Sequence, residues 1–165
     1  MILRAITLAA GLTGAFGAAQ FPAFSQQYLQ RLGGAVDALE EVVADFDASA
    51  AAEGLSRAEA LRQMQGAEFI ERRRADMQRT FERHAALTAD LEVLSGQGPF
   101  MRAYHAARLT DVDVARRAWQ VFEPALPLTL SAAIFATVGF VLGTLICRGL
   151  LAALRWPLRR RALSA

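Results

Sequence analysis

Two long apolar segments flank a polar middle in this 165-residue chain. Residues 125–147 contain no charged side chain over 23 positions, and residues 2–19 contain only Arg4. At about 1.5 Å per helical residue, a helix over the second segment is long enough to cross a hydrocarbon core of about 30 Å, and the first reaches about 27 Å. We therefore predict two transmembrane helices, one over residues 1–20 and one over residues 125–147.

Small residues form one stripe in each apolar segment, at spacings of 4-3-4. The stripe positions are Thr7, Gly11, Gly14 and Ala18 in the first segment and Ala132, Ala136, Gly139 and Gly143 in the second. Small side chains let two helix backbones approach closely in lipid, where the hydrophobic effect does not drive helix association. The stripes therefore predict that the two spans pack as an antiparallel hairpin.

The first segment also fits a cleaved signal peptide. Arg4 precedes an apolar run that ends in Gly17-Ala18-Ala19, which places small residues at the cleavage positions. Under that alternative the mature protein is periplasmic and is anchored by its C-terminal span. The matching small-residue stripes favour a retained first span.

Residues 21–124, between the two segments, follow helical periods. The apolar positions of the first helix recur at spacings of 4-3-4-3-4, typical of a coiled-coil seam: Tyr28, Leu32, Ala35, Leu39, Val42 and Phe46. Ser56 with Glu59 predicts a capping box that opens a short helix, and a long helix follows from after Gly66 to about Ser95. No alternating β pattern occurs, so we predict an all-α stalk or small bundle whose two long helices can run antiparallel.

Two more short helices are predicted before the chain returns to the second apolar segment. One covers residues 100–109 after a Gly98-Pro99 turn, and the other is capped by Thr110 with Asp113.

Charge is strongly segregated along the chain. All sixteen carboxylates lie between Asp37 and Glu123, and residues 25–124 hold twelve of the eighteen arginines. The other six arginines flank the apolar segments: Arg4, Arg148, Arg155, Arg159, Arg160 and Arg161. The positive-inside rule then predicts a bacterial inner-membrane protein with cytoplasmic termini, a basic cytoplasmic tail over residues 148–165 and a periplasmic middle. Because the middle is net acidic, the pI near 9.3 does not indicate nucleic-acid binding.

The run Gln20–Ala35, which reads QFPAFSQQYLQRLGGA, resembles the opening of a family of uncharacterised proteobacterial membrane proteins, a domain of unknown function. The likeness extends to residues 45–47 and 57–61 and to the return to the membrane, so it covers nearly the whole chain. The resemblance implies a two-span inner-membrane protein with a periplasmic helical loop, and it carries over no catalytic residue.

The chain contains no motif for catalysis, cofactor binding or metal binding. It lacks a glycine-rich phosphate loop and the G-x-S-x-G, H-E-x-x-H and C-x-x-C-H motifs. His84 has no histidine or carboxylate three or four residues away, His105 stands beside Tyr104, and the single Cys147 has no intramolecular partner. We therefore expect no enzymatic activity, no cofactor and no metal site.

The expected function is that of a non-catalytic accessory or scaffold protein in the lipid bilayer. Its expected partner is another membrane protein or a second copy of the chain. Candidate contact points are Gly33 and Gly34, where another helix passes close or the helix bends, and the run Arg72, Arg73 and Arg74. The alternative is a sensor-like periplasmic input module that works through a separate partner, because only seventeen residues follow Arg148.

Overall fold

The computed structural model describes residues 1–125 and 128–162, with side chains up to residue 154. The described residues are helical and include no β-strand, which confirms the all-α prediction. The elements are α1 (Ile2–Ala19), α2 (Phe21–Ala52), α3 (Arg57–Gln63), α4 (Glu68–Leu94), α5 (Pro99–Tyr104), a 3-10 turn (Ala106–Arg108), α6 (Val112–Gln120) and α7 (Leu130–Ala162).

The chain divides into two compact units. The first, here called the helix-pair unit, comprises Met1–Ser25 and Phe122–Ala165; the second, here called the helical domain, comprises Gln26–Val121. Helix α2 begins in the first unit and continues in the second. Two helical stretches, one that starts at Ile2 and the other over Leu130–Leu154, are long and apolar enough to cross a membrane.

Helix α7 starts later and ends later than the predicted second span. It begins at Leu130 rather than at residue 125 because Thr129 caps it: the Thr129 hydroxyl accepts a hydrogen bond from the backbone N–H of Ala132 at 3.2 Å. Pro127, placed in the first turn of the predicted span, lies outside the described residues. The helix then runs past residue 147 to Ala162 without a break.

In the helix-pair unit, α1 and α7 run in opposite directions. Gly14 lies against Gly139, whereas Ala10, one turn earlier in α1, lies against Gly143, one turn later in α7. Beyond the end of α1, the side-chain amide of Gln20 donates to the Ala125 carbonyl at 3.0 Å and accepts from the Ala125 N–H at 3.3 Å. This pair of hydrogen bonds holds the segment before α7 beside the α1–α2 junction.

In the helical domain, α2 and α4 also run antiparallel. The rings of Phe46 and Phe81 meet edge to face with centroids 5.2 Å apart, and further along, Tyr28 of α2 lies near Asp90 of α4. The buried positions of α4 are Met77, Leu87, Asp90 and Leu94. Later residues of α2 therefore contact earlier residues of α4, as in an antiparallel pair.

After Leu32 the buried face of α2 differs in part from the predicted seam, although Phe46, a seam position, packs on Phe81 of α4. Tyr28 and Leu32 are fully buried as expected, but the next buried positions are Val36 and Val43, and Val42 is 42% exposed. A heptad seam drifts by about 20° per heptad around a straight α-helix. Along α2 the heptad positions therefore move off the buried face. Val36 is buried where the heptad pattern predicted Ala35.

Local capping signals set three helix ends in this domain, the starts of α3 and α6 and the end of α4. The capping box is present, with the Ser56 N–H donating to Glu59 Oε2 at 2.9 Å, and Gly96 follows α4 with a positive φ of 71°. The predicted Thr110 cap is wrong: Asp111 caps α6 by accepting from the Val114 N–H at 2.8 Å. Asp111 directly precedes the first helical residue, so its carboxylate reaches that amide, and Thr110 is one residue too early.

Candidate functional sites

The contact face between α1 and α7 is made of glycine backbone. A Cβ atom added at Gly14 would overlap the carbonyl group of Gly139, and one added at Gly139 would overlap the carbonyl group of Gly14 and lie 2.5 Å from the Ala18 Cβ. A Cβ at Gly143 would lie 2.6 Å from the Ala10 carbonyl oxygen. Only residues without a side chain permit this separation of the two helices.

All eight stripe residues lie on the buried or half-buried side of the helix pair. Gly11, Ala132 and Gly139 are buried, and the remaining five, Thr7, Gly14, Ala18, Ala136 and Gly143, are half-buried. The large apolar side chains of the same helices point outwards and are 42–62% exposed: Ile6, Leu8, Leu12, Phe16, Ile134, Val138, Val141, Leu142, Leu145 and Ile146. A soluble helix pair would place its large apolar side chains inside, so this arrangement is the reverse of a soluble core.

Two of the arginines predicted to mark topology line one cavity. Arg4 of α1 and Arg148 of α7 border a cavity of about 550 Å³, together with the hydroxyl-bearing Thr7 and Thr144 and several apolar residues. The side chains of the other four, Arg155, Arg159, Arg160 and Arg161, lie outside the described residues. The structure therefore places the single arginine of the first apolar segment and the first arginine after the second one on the same cavity.

A polar cluster lies inside the helical domain. Asp90 is buried in α4 and accepts hydrogen bonds from Arg108 at 3.2 Å and from the Thr110 hydroxyl at 3.4 Å. Asp111, which caps α6, also forms an ion pair with Arg83 of α4 at 3.1 Å. Each of these carboxylates is thus paired with an arginine, so the cluster joins α4, the 3-10 turn and the start of α6.

Tyr28 of α2 reaches this cluster with its side chain fully buried. Its hydroxyl has no hydrogen-bond partner among the described residues. Burial raises the pKa of Tyr28, and the nearby carboxylates of Asp111 and Asp90 raise it further. The backbone N–H of Asp111 lowers this pKa, although it is not placed to form a hydrogen bond with the phenol. The phenol is therefore held in its neutral form.

Arg102 of α5 is the other buried ionisable group of the domain, with 7% of its surface exposed. Its guanidinium donates to the side-chain oxygen of Gln26 at 2.8 Å, and its Nε atom has no partner in the described part of the chain. Burial lowers the pKa of Arg102, because removal from water disfavours the charged form.

Sequence reasoning did not predict the polar cluster. Its members come from four separate elements, which meet only in the folded domain. One signal was available: Asp90 follows Leu87 by three residues and precedes Leu94 by four, so a carboxylate occupies the apolar face of α4.

The two glycines singled out as contact points lie within an unbroken α2, and nothing lies within 4 Å of a Cβ built at either. Among the described residues, therefore, no other helix passes close to Gly33 or Gly34, and contact of a partner with these glycines stays a prediction. Instead Gly34 lines a groove of about 390 Å³, whose charged residues are Arg31, Arg83, Asp113 and Arg117. Open space beside a glycine leaves the α2 backbone accessible from this groove.

The run of Arg72, Arg73 and Arg74 lies near the start of α4. Arg72 forms an ion pair with Glu68, Arg73 is exposed and Arg74 is half-buried. Further along the helix, Asp76 pairs with Arg79. Such solvated pairs contribute about 0.3–0.5 kcal/mol to a helix and do not by themselves define a site.

The described residues contain no group of three or more histidine, cysteine, aspartate or glutamate side chains able to hold a metal ion. His84 and His105 are each half-buried, and the ring of His105 packs edge to face on Tyr104 with centroids 5.0 Å apart. Cys147 of α7 is a free thiol.

No curated protein and no solved structure matches the chain. One family does, over residues 2–160, and therefore over both apolar helices and the whole helical domain. The match agrees with the resemblance carried by Gln20–Ala35. The chain belongs to the DUF2937 family, whose members are proteins of unknown function.

Proposed function

We propose that this protein is a two-span inner-membrane protein that acts as an accessory or scaffold. In this proposal α1 and α7 form a transmembrane hairpin, and the helical domain between them binds another membrane protein or a second copy of the chain in the periplasm. The lipid bilayer is the first partner, because the apolar helices need a non-aqueous surround.

The observation that carries the proposal is the reversed packing of the helix pair. Small residues face inwards, with Gly14 against Gly139, while Leu12, Phe16 and Leu142 are at least half exposed. In water, so much outward apolar surface would drive aggregation, whereas lipid covers it at no cost. This pattern favours two retained spans.

The same packing argues against cleavage of the first segment. Removal of α1 would leave the Gly139 and Gly143 face of α7 without the backbone that fills it. A stripe of glycine exposed to lipid gains no close contact, since close contact requires a second backbone. A retained α1 therefore accounts for the glycines of both helices.

Orientation is supported by the arginines at one end of the helix pair. Arg4 and Arg148 line the same cavity, and the sequence adds Arg155 and three consecutive arginines beyond it. Arginine flanking a span favours the cytoplasmic side, which would place both termini there and the helical domain in the periplasm.

A role in protein contact is supported by the groove beside Gly34. Arg31 and Arg117 border it without an ion pair in the described part of the chain, whereas Arg83 and Asp113 pair with each other at 3.8 Å. Both guanidinium groups lack an ion pair, and the α2 backbone beside Gly34 is accessible. The groove therefore suits an acidic segment of a partner protein.

Topology can be tested in intact cells with one reactive cysteine at a time. The Cys147→Ser variant removes the only native thiol, and Ile2→Cys and Ser95→Cys then place single thiols at the start of α1 and in the helical domain. A membrane-impermeant maleimide should label the thiol at position 95 in spheroplasts and the thiol at position 2 only after lysis. A mature protein that lacks the position-2 thiol would contradict the hairpin and support a cleaved signal.

The partner can be identified with a photocrosslinking amino acid at position 34, in native membranes. A crosslink to a defined membrane protein, or to a second copy, should appear at Gly34 and be weakened by Arg31→Glu with Arg117→Glu. The matched control is position 73, which lies near the start of α4 and does not line the groove. Equal crosslinking from both positions would contradict a specific surface at the groove.

A further inference from the structure

We propose that the cavity bordered by Arg4 and Arg148 binds the phosphate of an anionic phospholipid, with one guanidinium from each helix. This inference rests on the proposed membrane location and assigns a specific lipid class to one end of the helix pair. The ligand is a phosphodiester with acyl chains, supplied by the leaflet on the arginine side.

The cavity is positively charged and lacks a compensating acid. Its lining includes two arginines and no carboxylate, and neither arginine forms an ion pair in the described part of the chain. Within the sequence of the helix-pair unit the only acid is Glu123, which precedes α7 and lies far along the helix from Arg148. No acidic side chain of the unit therefore neutralises these two arginines, and two guanidinium groups match phosphate oxygens in geometry as well as charge.

The remaining walls favour a lipid over a free phosphate ion. Leu3, Leu8, Phe140 and Leu151 line the same cavity, so an occupant that bears hydrocarbon next to its phosphate covers both kinds of surface. The volume of about 550 Å³ accommodates a phosphoglycerol group with the first part of its acyl chains.

A hydroxyl provides the third polar contact. Thr7 donates its hydroxyl to the Leu3 carbonyl within α1 at 2.8 Å, whereas the Thr144 hydroxyl is buried and has no partner among the described residues. A buried hydroxyl without a partner is unfavourable unless a bound group supplies one. The Thr144 side chain also lines the cavity, so rotation about its Cα–Cβ bond would let the hydroxyl donate to a phosphate or ester oxygen there.

The chain beyond Arg148 keeps the cavity at the edge of the hydrocarbon. Helix α7 continues to Ala162, and Leu150 and Leu154 are 61% and 69% exposed. Apolar residues therefore follow Arg148 along α7, so in the proposed membrane location its guanidinium would lie beside hydrocarbon. Basic residues in that position, near the cytoplasmic surface, bind anionic headgroups.

The test uses the full chain purified in a mild detergent and native mass spectrometry with phosphatidylglycerol and phosphatidylcholine of identical acyl chains. The wild type should retain phosphatidylglycerol preferentially. Arg4→Gln and Arg148→Gln should each weaken that preference roughly fivefold, and the double variant roughly 30-fold, from about 1 kcal/mol per arginine. The matched control, Arg73→Gln with Arg74→Gln, removes two arginines from α4 and should leave the preference unchanged.

Two further arms decide between the explanations. Excess inorganic phosphate should not displace the lipid, because it cannot occupy the apolar walls; displacement would show a free-anion site and overturn the lipid assignment. Thr144→Val keeps both charges and should lower phosphatidylglycerol retention severalfold, so it tests the site even where the double arginine variant misfolds. Unchanged retention in Thr144→Val, or equal retention of both lipids by the wild type, would overturn the inference.

Failure of this inference is distinguishable from failure of the membrane proposal. A wild type that stays in carbonate-washed membranes yet shows no lipid preference contradicts the lipid site alone. A protein released by the carbonate wash contradicts the membrane location itself.

Discussion

Replacement of single glycines by alanine should destabilise the α1–α7 pair in an order set by what each new Cβ meets. Gly14 and Gly139 face backbone carbonyl groups, which cannot move without the whole helix. Gly11 faces only the side chains of Thr144 and Phe140, at 2.6 and 2.7 Å. The expected order of destabilisation is therefore Gly14 and Gly139 first, Gly143 next because it faces the Ala10 carbonyl oxygen, and Gly11 last.

The magnitude follows from the separation that the new methyl group imposes. A carbon atom approaches a carbonyl oxygen to about 3.3 Å at the closest, so Gly14→Ala requires the helices to move apart by about 1 Å. A gap of that size forfeits about a quarter to a half of the dispersion energy along the contact, and overpacked sites typically lose about 1–3 kcal/mol. That range corresponds to a roughly 5- to 150-fold change in the equilibrium between packed and separated helices.

The assay is a disulfide that forms only while the helices are packed. Ala15→Cys and Ala136→Cys, introduced together with Cys147→Ser, place two thiols on one cavity between α1 and α7. Crosslink yield is measured in detergent while SDS is added, and the SDS fraction at half-maximal yield reports the stability of the packed pair. Gly14→Ala and Gly139→Ala should lower that midpoint most.

Two glycines of the same helices serve as controls. Gly17 and Gly149 have nothing within 4 Å of an added Cβ, so Gly17→Ala and Gly149→Ala should leave the midpoint unchanged or raise it slightly through helix propensity. Equal shifts for Gly17→Ala and Gly14→Ala would refute the reasoning, because a general glycine effect would then explain both. A larger loss for Gly11→Ala than for Gly139→Ala would refute the distinction between side-chain and backbone neighbours.

Three further predictions concern the helical domain. Tyr28→Phe removes a hydroxyl without a partner and should change the free energy of unfolding by less than about 1 kcal/mol, whereas Tyr28→Ala should cost about 3–5 kcal/mol, both by urea titration. Arg108→Ala leaves the buried Asp90 without its cation and should cost about 1–3 kcal/mol in the same titration. Hydrogen bonds from Arg57 lower the pKa of Asp47, so Arg57→Ala should return that pKa to its ordinary range by NMR. The small stabilisation from this surface pair is present above the ordinary pKa and is lost as the pH falls through the lowered one.

Local signals in the sequence predicted the start of α3 and the end of α4. The Ser56 and Glu59 box and the Gly96 stop act through residues within one turn, so they operate whatever the rest of the chain does. The seam of α2 could not be placed as well, because positions 35 and 36 both lie near the predicted apolar face. Which of the two is buried depends on the course of α4, and the structure selects Val36.

The same contrast holds for the candidate sites. The small-residue stripes were predictable because helical spacing alone brings Gly11 and Gly14 to one face. The polar cluster was not, because Tyr28, Asp90 and Asp111 are far apart in sequence and meet through three helices. Spacing within one element determines a face, but only tertiary packing determines which charges share an interior.

The position of Arg4 changes the weight of the topology argument. In the sequence it is a lone arginine inside an apolar segment, and the predicted orientation depends mainly on the five arginines after residue 147. In the structure it shares a cavity with Arg148, so the two charges lie at the same end of the helix pair. A guanidinium placed within an apolar helix is costly unless it reaches the headgroup region or an anion. Since both helices present an arginine at this level, one bound phosphate would offset the cost for both spans, and Arg4→Gln should impair lipid retention and not helix packing.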